Sequence, residues 1–159
     1  MEERAKPHEA VLVRRYPHPV ARVFLAWSLP RHLEGWLRPN AECRLRVTLF
    51  DFREGGEFLF DYEWGGNASP VRGRFHTIIP EKALAYSWSP QPPDPYAGRD
   101  TIVTVSFSPI PGGTEVIVRH TVFPDEIMRD RHRLGWAAAL ELLAGQLESD
   151  PDSSSASFP

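Results

Sequence analysis

The sequence predicts an α+β fold in which a curved antiparallel sheet of about seven strands wraps around a long C-terminal helix. Strand patterns follow one another with no helix-length segment between them, so parallel crossovers are excluded. Turns that contain glycine or proline separate these strands. The last pattern is a long amphipathic helix, whose apolar face has only the sheet to cover.

The first third of the chain predicts one strand and two short helices. Residues 10–16 are a β-rich run that ends before the helix-breaking sequence "PHP". Pro19 suits the first turn of one helix, and a second short helix is predicted to follow Pro30. The apolar residues that recur at helical spacing are Val20, Val23, Phe24, Trp27, Leu33 and Trp36.

Six further strands are predicted in the middle of the chain. They cover residues 45–52, 57–64, 71–79, 84–89, 101–108 and 114–121. The longest loop, "SPQPPDPYAG" at residues 89–98, contains four prolines and is therefore stiff. It is interpreted either as a rim or lid of a binding site or as a plain surface connection.

The C-terminal helix is predicted to start at an Asp125 N-cap and to run for about 20 residues. Its inward face consists of Met128, His132, Trp136, Leu140, Leu143 and Leu147. Gly135, Ala138 and Ala139 flank Trp136, where a well-filled interface would carry larger side chains. This stretch predicts that neighbouring elements approach the helix closely on one side and leave vacant volume on the other.

Composition restricts the class of protein. The 159 residues fit one domain, predicted at residues 1–148, followed by a disordered polar tail at residues 149–159. Eighteen basic and 21 acidic residues give a net charge of −3, which disfavours nucleic acid as a partner. No apolar run is long enough to insert in a membrane and the N-terminus has no signal-like segment, so a cytoplasmic location is expected.

No metal or cofactor site is predicted. The single cysteine, Cys43, excludes an intramolecular disulfide and every multi-cysteine zinc site, and a structural thiol is its simplest interpretation. The six histidines show no HExxH or clustered spacing. The "EGGE" sequence at residues 54–57 lacks the spacing of a phosphate-binding loop. No serine lies in a nucleophile elbow.

Five segments resemble a known family. They are "VARVFLAWSLPRHLEGWL", "FDFREGGEF", "RGRFHTIIPEKALAYSW", "TIVTVSFSPIPGGTEVIVRH" and "GWAAALELL", in that order. Together they resemble the activator-of-heat-shock-protein-90-ATPase homologues, in their single-domain bacterial type, within the START-like (SRPBCC) superfamily. The resemblance implies a helix-grip fold with a cavity. It does not choose a function, because the superfamily includes lipid carriers, hormone receptors, polyketide cyclases and cochaperones.

The candidate ligand-binding residues lie on the side of the sheet that carries the larger apolar residues and on the facing side of the last helix. They are Phe60, Tyr62, Trp64, Phe75, Tyr86, Trp88, His120, His132, Trp136, Ala139 and Leu140. The same alternation places Ile79 inward. An aromatic lining suits a ligand pocket, and the alternative is that these residues simply fill a core.

Two of the candidates, His120 and His132, are expected to converge at the cavity mouth. As a pair they could orient a carbonyl group or act as a general base, and the alternative is a hydrogen-bonded core histidine. No catalytic residue is assigned.

Three functions remain open at this point. The first is non-catalytic binding of a small hydrophobic or aromatic molecule in the cavity. The second is a polyketide cyclase or dehydratase-like reaction in the same pocket, and the third is a chaperone-interaction module that uses the outer sheet. The eukaryotic cochaperone carries a separate N-terminal chaperone-binding domain that these residues do not include, which favours the first function. A monomer and a homodimer are equally compatible with the sequence.

Overall fold

The computed structural model describes residues 8–149, which form one seven-stranded antiparallel sheet and three helices. The elements are β1 (Ala10–Tyr16), α1 (Val20–Ser28), α2 (Pro30–Trp36), β2 (Arg44–Phe50), β3 (Glu57–Trp64), β4 (Asn67–Ile79), β5 (Ala83–Pro90), β6 (Thr101–Ile110), β7 (Gly113–Thr121) and α3 (Glu126–Ser149). The strand order is β1-β7-β6-β5-β4-β3-β2. Strands β2 to β6 each pair with the next strand in sequence, whereas β1 pairs with β7 and not with β2. The predicted curved-sheet, helix-grip fold is confirmed.

Strand β4 begins earlier than predicted. It starts at Asn67 rather than at residue 71, and Asn67 pairs with Trp64. Gly65 and Gly66, both with positive φ, therefore form a two-residue hairpin turn. The sequence prediction missed these residues because asparagine and proline are poor strand formers.

A bulge in β4 reverses which side chains face the core. The pairing with β5 shifts register between Phe75 and Thr77. Beyond this point Ile78 packs against the core, while Ile79 is 47% exposed. The predicted inward position of Ile79 is therefore wrong, because one extra residue exchanges the two faces of a strand.

Helix α3 packs most closely through its C-terminal half. Leu140, Leu143 and Leu147 are buried there, as predicted. The Tyr16 hydroxyl donates to the Leu140 carbonyl at 2.9 Å, and Arg22 Nη2 donates to the Leu147 carbonyl at 2.7 Å. These bonds tie the end of α3 to β1 and α1.

The N-terminus of α3 is capped as predicted. The Asp125 carboxylate accepts a hydrogen bond from the Met128 backbone N–H at 2.9 Å, which is the N-cap arrangement. The helix continues through Ser149, one residue into the segment predicted to be a tail, and residues 150–159 lie outside the described part of the chain.

Candidate functional site

A cavity of about 480 Å³ lies between the sheet and the N-terminal half of α3. The strands β3, β4 and β5 contribute Tyr62, Trp64, Ser69, Val71 and Trp88 to its wall. The helix contributes Arg131, His132, Gly135, Trp136 and Ala139. The segment at residues 37–43, which joins α2 to β2, closes a further side, and Asp94 reaches the wall from the proline-rich loop. The volume falls within the range of about 300–1,000 Å³ that is typical of small-molecule sites.

The small residues of α3 explain why this volume is left open. Ala139 and Gly135 lie on the wall on either side of Trp136. A Cβ atom built on Gly135 would lie 3.5 Å from the Cβ atom of Pro39, which is an ordinary van der Waals contact. The helix therefore packs against the 37–43 segment beside the open volume, and the unusually close approach predicted from Gly135 is not required there. Ala138 is not part of the wall.

Six of the eleven candidate ligand residues line the cavity: Tyr62, Trp64, Trp88, His132, Trp136 and Ala139. Trp64 is 57% exposed and lies at the edge. The other five, Phe60, Phe75, Tyr86, His120 and Leu140, are buried without reaching the wall. Strand alternation predicts which side chains face inward. It does not predict whether an inward side chain reaches the cavity or stays in the core, so the sequence alone does not separate these two groups. Ligand contact by the six wall residues stays a prediction.

His120 is fully buried and both of its ring nitrogens are engaged. Its Nδ1 accepts a hydrogen bond from the Trp136 indole N–H at 3.0 Å, so Nε2 carries the proton. Nε2 donates to the Thr101 hydroxyl at 2.7 Å, and that hydroxyl donates to the Trp88 carbonyl at 2.7 Å. Burial, assisted by the neighbouring His132, holds the pKa of His120 well below its ordinary value. This is the arrangement of a hydrogen-bonded core histidine, one of the two interpretations of His120, and it positions the Trp136 indole.

His132 lies on the wall and is only half-buried. Its Nδ1 donates to the Met128 carbonyl at 2.9 Å, one turn back along α3. Burial is the main cause that lowers the pKa of His132, so the ring is neutral at pH 7. The centroid of its ring lies 5.1 Å from that of His120, which confirms that the two histidines are close.

The remaining aromatic wall residues differ in their polar atoms. The Tyr62 hydroxyl donates to the Leu37 carbonyl at 2.8 Å, and burial raises the pKa of Tyr62 well above its ordinary value. The Trp88 indole N–H is buried and has no hydrogen-bond partner in residues 8–149. Trp88 and Trp136 lie with their ring centroids 6.5 Å apart. The wall therefore carries three tryptophans and one tyrosine, and the tyrosine is held in the neutral form.

Charged residues fix the proline-rich loop against the start of α3. Arg131 Nη2 lies 3.1 Å from the Asp94 carboxylate, and its guanidinium lies 5.5 Å from the centre of the Tyr96 ring. The Tyr96 hydroxyl donates to the Asp125 carboxylate at 3.1 Å. The loop thus forms part of the rim, one of the two interpretations that its sequence allows.

Comparison with known proteins agrees with this geometry. The sequence profile of the family described as "Activator of Hsp90 ATPase homolog 1-like protein" matches residues 17–148. The chain belongs to this family. No curated protein matches the chain.

Solved structures of three other proteins have the same fold. A protein of Chromobacterium violaceum is 26% identical, with a TM-score of 0.81 over 89% of this chain and 97% of that chain. The AHSA1 protein of Silicibacter pomeroyi is 22% identical, with a TM-score of 0.80 over 89% of this chain and 99% of the other. DynU16, from the dynemicin biosynthetic locus, is 18% identical with a TM-score of 0.73, over 89% of this chain and 47% of its own. At these last two identities the likeness shows the fold alone.

Several wall residues of this activator homologue were not among the sequence candidates. Arg38, Asn40, Cys43, Asp94 and Arg131 all line the cavity. Cys43 is buried, and burial raises the pKa of its thiol, which matches a structural thiol. A signal was present only for Asp94, because its loop was a candidate rim. Arg38, Asn40 and Cys43 lie in the 37–43 segment, whose path no periodicity defines. Arg131 lies on α3 beside His132, outside the predicted inward face of that helix.

No group of three or more His, Cys, Asp or Glu side chains within residues 8–149 is arranged to hold a metal ion. No helix in that range is long and apolar enough to cross a membrane.

Proposed function

We propose that this activator homologue binds a small, largely apolar or aromatic molecule in the cavity, without catalysing a reaction on it. The observation that carries the proposal is a cavity of about 480 Å³ with Tyr62, Val71, Trp88, Trp136 and Ala139 on its wall. Aromatic and aliphatic walls stabilise a ligand by removing its apolar surface from water, at roughly 25 cal/mol per Å².

The chemistry of the wall supports binding rather than turnover. A general base needs an accessible lone pair near the reacting atom and a partner that orients it. Both ring nitrogens of His120 are engaged in hydrogen bonds, so neither offers a free lone pair. Tyr62 is kept neutral and hydrogen-bonded to a backbone carbonyl. His132 alone does not form an acid/base constellation.

The family context is compatible with the proposal. Members of the superfamily commonly bind hydrophobic ligands. The cyclase-like and chaperone-interaction functions are alternatives that no contact within residues 8–149 favours. A cytoplasmic location and the choice between monomer and homodimer stay predictions.

Filling the cavity is expected to weaken the binding of a hydrophobic fluorescent probe. The test is a titration of N-phenyl-1-naphthylamine, whose fluorescence rises in apolar surroundings, into the purified protein. Ala139→Trp places an indole in the cavity from the helix, and Ser69→Phe places a ring there from β4. Each is expected to weaken probe binding by more than about 30-fold, equivalent to ~2 kcal/mol of lost apolar burial.

Matched variants outside the cavity control for the added rings. Leu134→Trp adds an indole to α3 at a residue that is 72% exposed, and Ser108→Phe adds a ring to the exposed face of β6. Neither is expected to change the titration. Unchanged probe binding in both filled variants, with native circular dichroism spectra, contradicts the proposal. Absence of a fluorescence increase with the wild-type protein also contradicts the proposal.

A further inference from the structure

We propose that His132 selects ligands that carry a hydroxyl group, so that the molecule in the cavity is a neutral, largely apolar alcohol or phenol whose O–H donates to His132 Nε2. This inference rests on the proposed function and names the class of its ligand. His132 is here a specificity-determining residue and has no part in a reaction.

The direction of the hydrogen bond follows from the partner of the other ring nitrogen. A backbone carbonyl can only accept, so the bond from Nδ1 to the Met128 carbonyl places the proton of the neutral ring on Nδ1. Nε2 then carries a lone pair and can only accept. It has no hydrogen-bond partner in the described residues, and the residue lies on the cavity wall. A ligand that donates a hydrogen bond satisfies this atom, whereas an ether or a ketone leaves it unsatisfied.

Two hydrogen-bond donors of the wall are already used within the protein and do not donate to His132 Nε2. The Trp136 N–H donates to His120, and the Tyr62 hydroxyl donates to the Leu37 carbonyl. The ring of His120, 5.1 Å from His132, uses both nitrogens within the core. His132, with its Nε2 as an acceptor, thus lies on a wall that it shares with Trp88 and Trp136.

The charges at the wall favour a neutral ligand over a carboxylate. Arg131 is paired with Asp94, and both line the cavity next to His132. Arg38 uses its guanidinium to donate to the carbonyls of Gly35, Ala41 and Cys43. An anion would have to displace Asp94 from Arg131 or lie close to the Asp94 carboxylate. With one further carboxylate, Glu63, the two arginines and two acidic residues of the wall sum to zero charge.

Three naphthalenes that share a ring system test the inference by isothermal titration calorimetry at pH 7.5. They are 2-naphthol, which donates a hydrogen bond; 2-methoxynaphthalene, which cannot; and 2-naphthoate, which is an anion. Wild-type protein is expected to bind 2-naphthol about tenfold more tightly than the methyl ether, the effect of one well-placed hydrogen bond. 2-Naphthoate is expected to bind most weakly.

Two substitutions assign the preference to His132. In His132→Phe the ratio is expected to fall to one or below, because the acceptor is lost and the methyl ether is the more apolar ligand. His132→Gln retains an acceptor oxygen and is expected to keep part of the preference. An unchanged ratio in His132→Phe, equal binding of the naphthol and its ether by the wild type, or tightest binding of 2-naphthoate overturns the inference and leaves the proposed function standing. Failure of all three to bind contradicts both.

Discussion

Replacement of Gly73 by alanine is expected to destabilise the folded protein by about 3 kcal/mol, at the upper end of the cost of overpacking. Gly73 is a buried residue of β4, opposite Phe58 of β3. A Cβ atom there would lie 2.2 Å from the Ser87 carbonyl oxygen and 2.1 Å from Cζ of Phe58. The carbonyl belongs to the backbone of β5, so it moves only if the strands separate. The Phe58 ring cannot yield either, because it stacks on Phe60 with centroids 4.4 Å apart.

Chemical denaturation of the Gly73→Ala variant measures this loss directly. Gly145→Ala is the matched control, because a Cβ atom at this exposed helical position meets nothing within 4 Å. It is expected to stabilise the protein by roughly 0.5–1 kcal/mol, since alanine favours a helix over glycine. Equal midpoints for the two variants contradict the packing described for β4 and β5.

Acidification from pH 6.5 to pH 5 is expected to lower the free energy of unfolding by about 1.5 kcal/mol through His120 alone. Burial keeps the pKa of His120 well below 6.5 in the folded protein, whereas the unfolded chain takes up a proton near that pH. The unfolded state therefore binds more protons across this window, and stability rises with pH. The stabilisation is present above the unfolded pKa and is lost as the pH falls toward the folded pKa.

Denaturation midpoints at half-unit steps between pH 5 and pH 7 measure this slope. His132 adds to it with the same sign, because the pKa of His132 is also lowered. His120→Gln removes one titrating group and is expected to flatten the slope, whatever it does to the absolute stability. His132→Gln is the parallel control for the half-buried ring. A slope that His120→Gln leaves intact contradicts the buried, neutral state of His120.

The sequence predicts the elements of this fold well because each one has a strong local signal. Strands β1 and β3 have the predicted bounds, and Pro19 and Pro30 mark the starts of α1 and α2. The prediction of strand faces is wrong where the local sequence carries no signal. The alternation of residues 71–79 does not indicate the bulge in β4, so it predicts the wrong face for Ile79.

The candidate site was only partly predictable for a different reason. Side chains such as Trp88 and Phe60 both face inward, and only the three-dimensional position of α3 decides which of them reaches the cavity. The polar partners of His120 come from β6 and α3, at Thr101 and Trp136. Contacts over such separations have no signature in a single sequence. The small residues around Trp136 were informative because they reduce the volume that the helix itself can fill.

The unequal packing of α3 has a consequence for local opening of the native state. The second half of the helix is anchored by three buried leucines and by the bonds from Tyr16 and Arg22, whereas the first half borders the cavity. Amide hydrogens of residues 128–136 are therefore expected to exchange with solvent faster than those of residues 140–147, as measured by hydrogen–deuterium exchange. A molecule in the cavity would slow exchange in the first half selectively. Part of its binding free energy would then order these turns, so mutations that stiffen the start of α3 would raise affinity without touching the ligand.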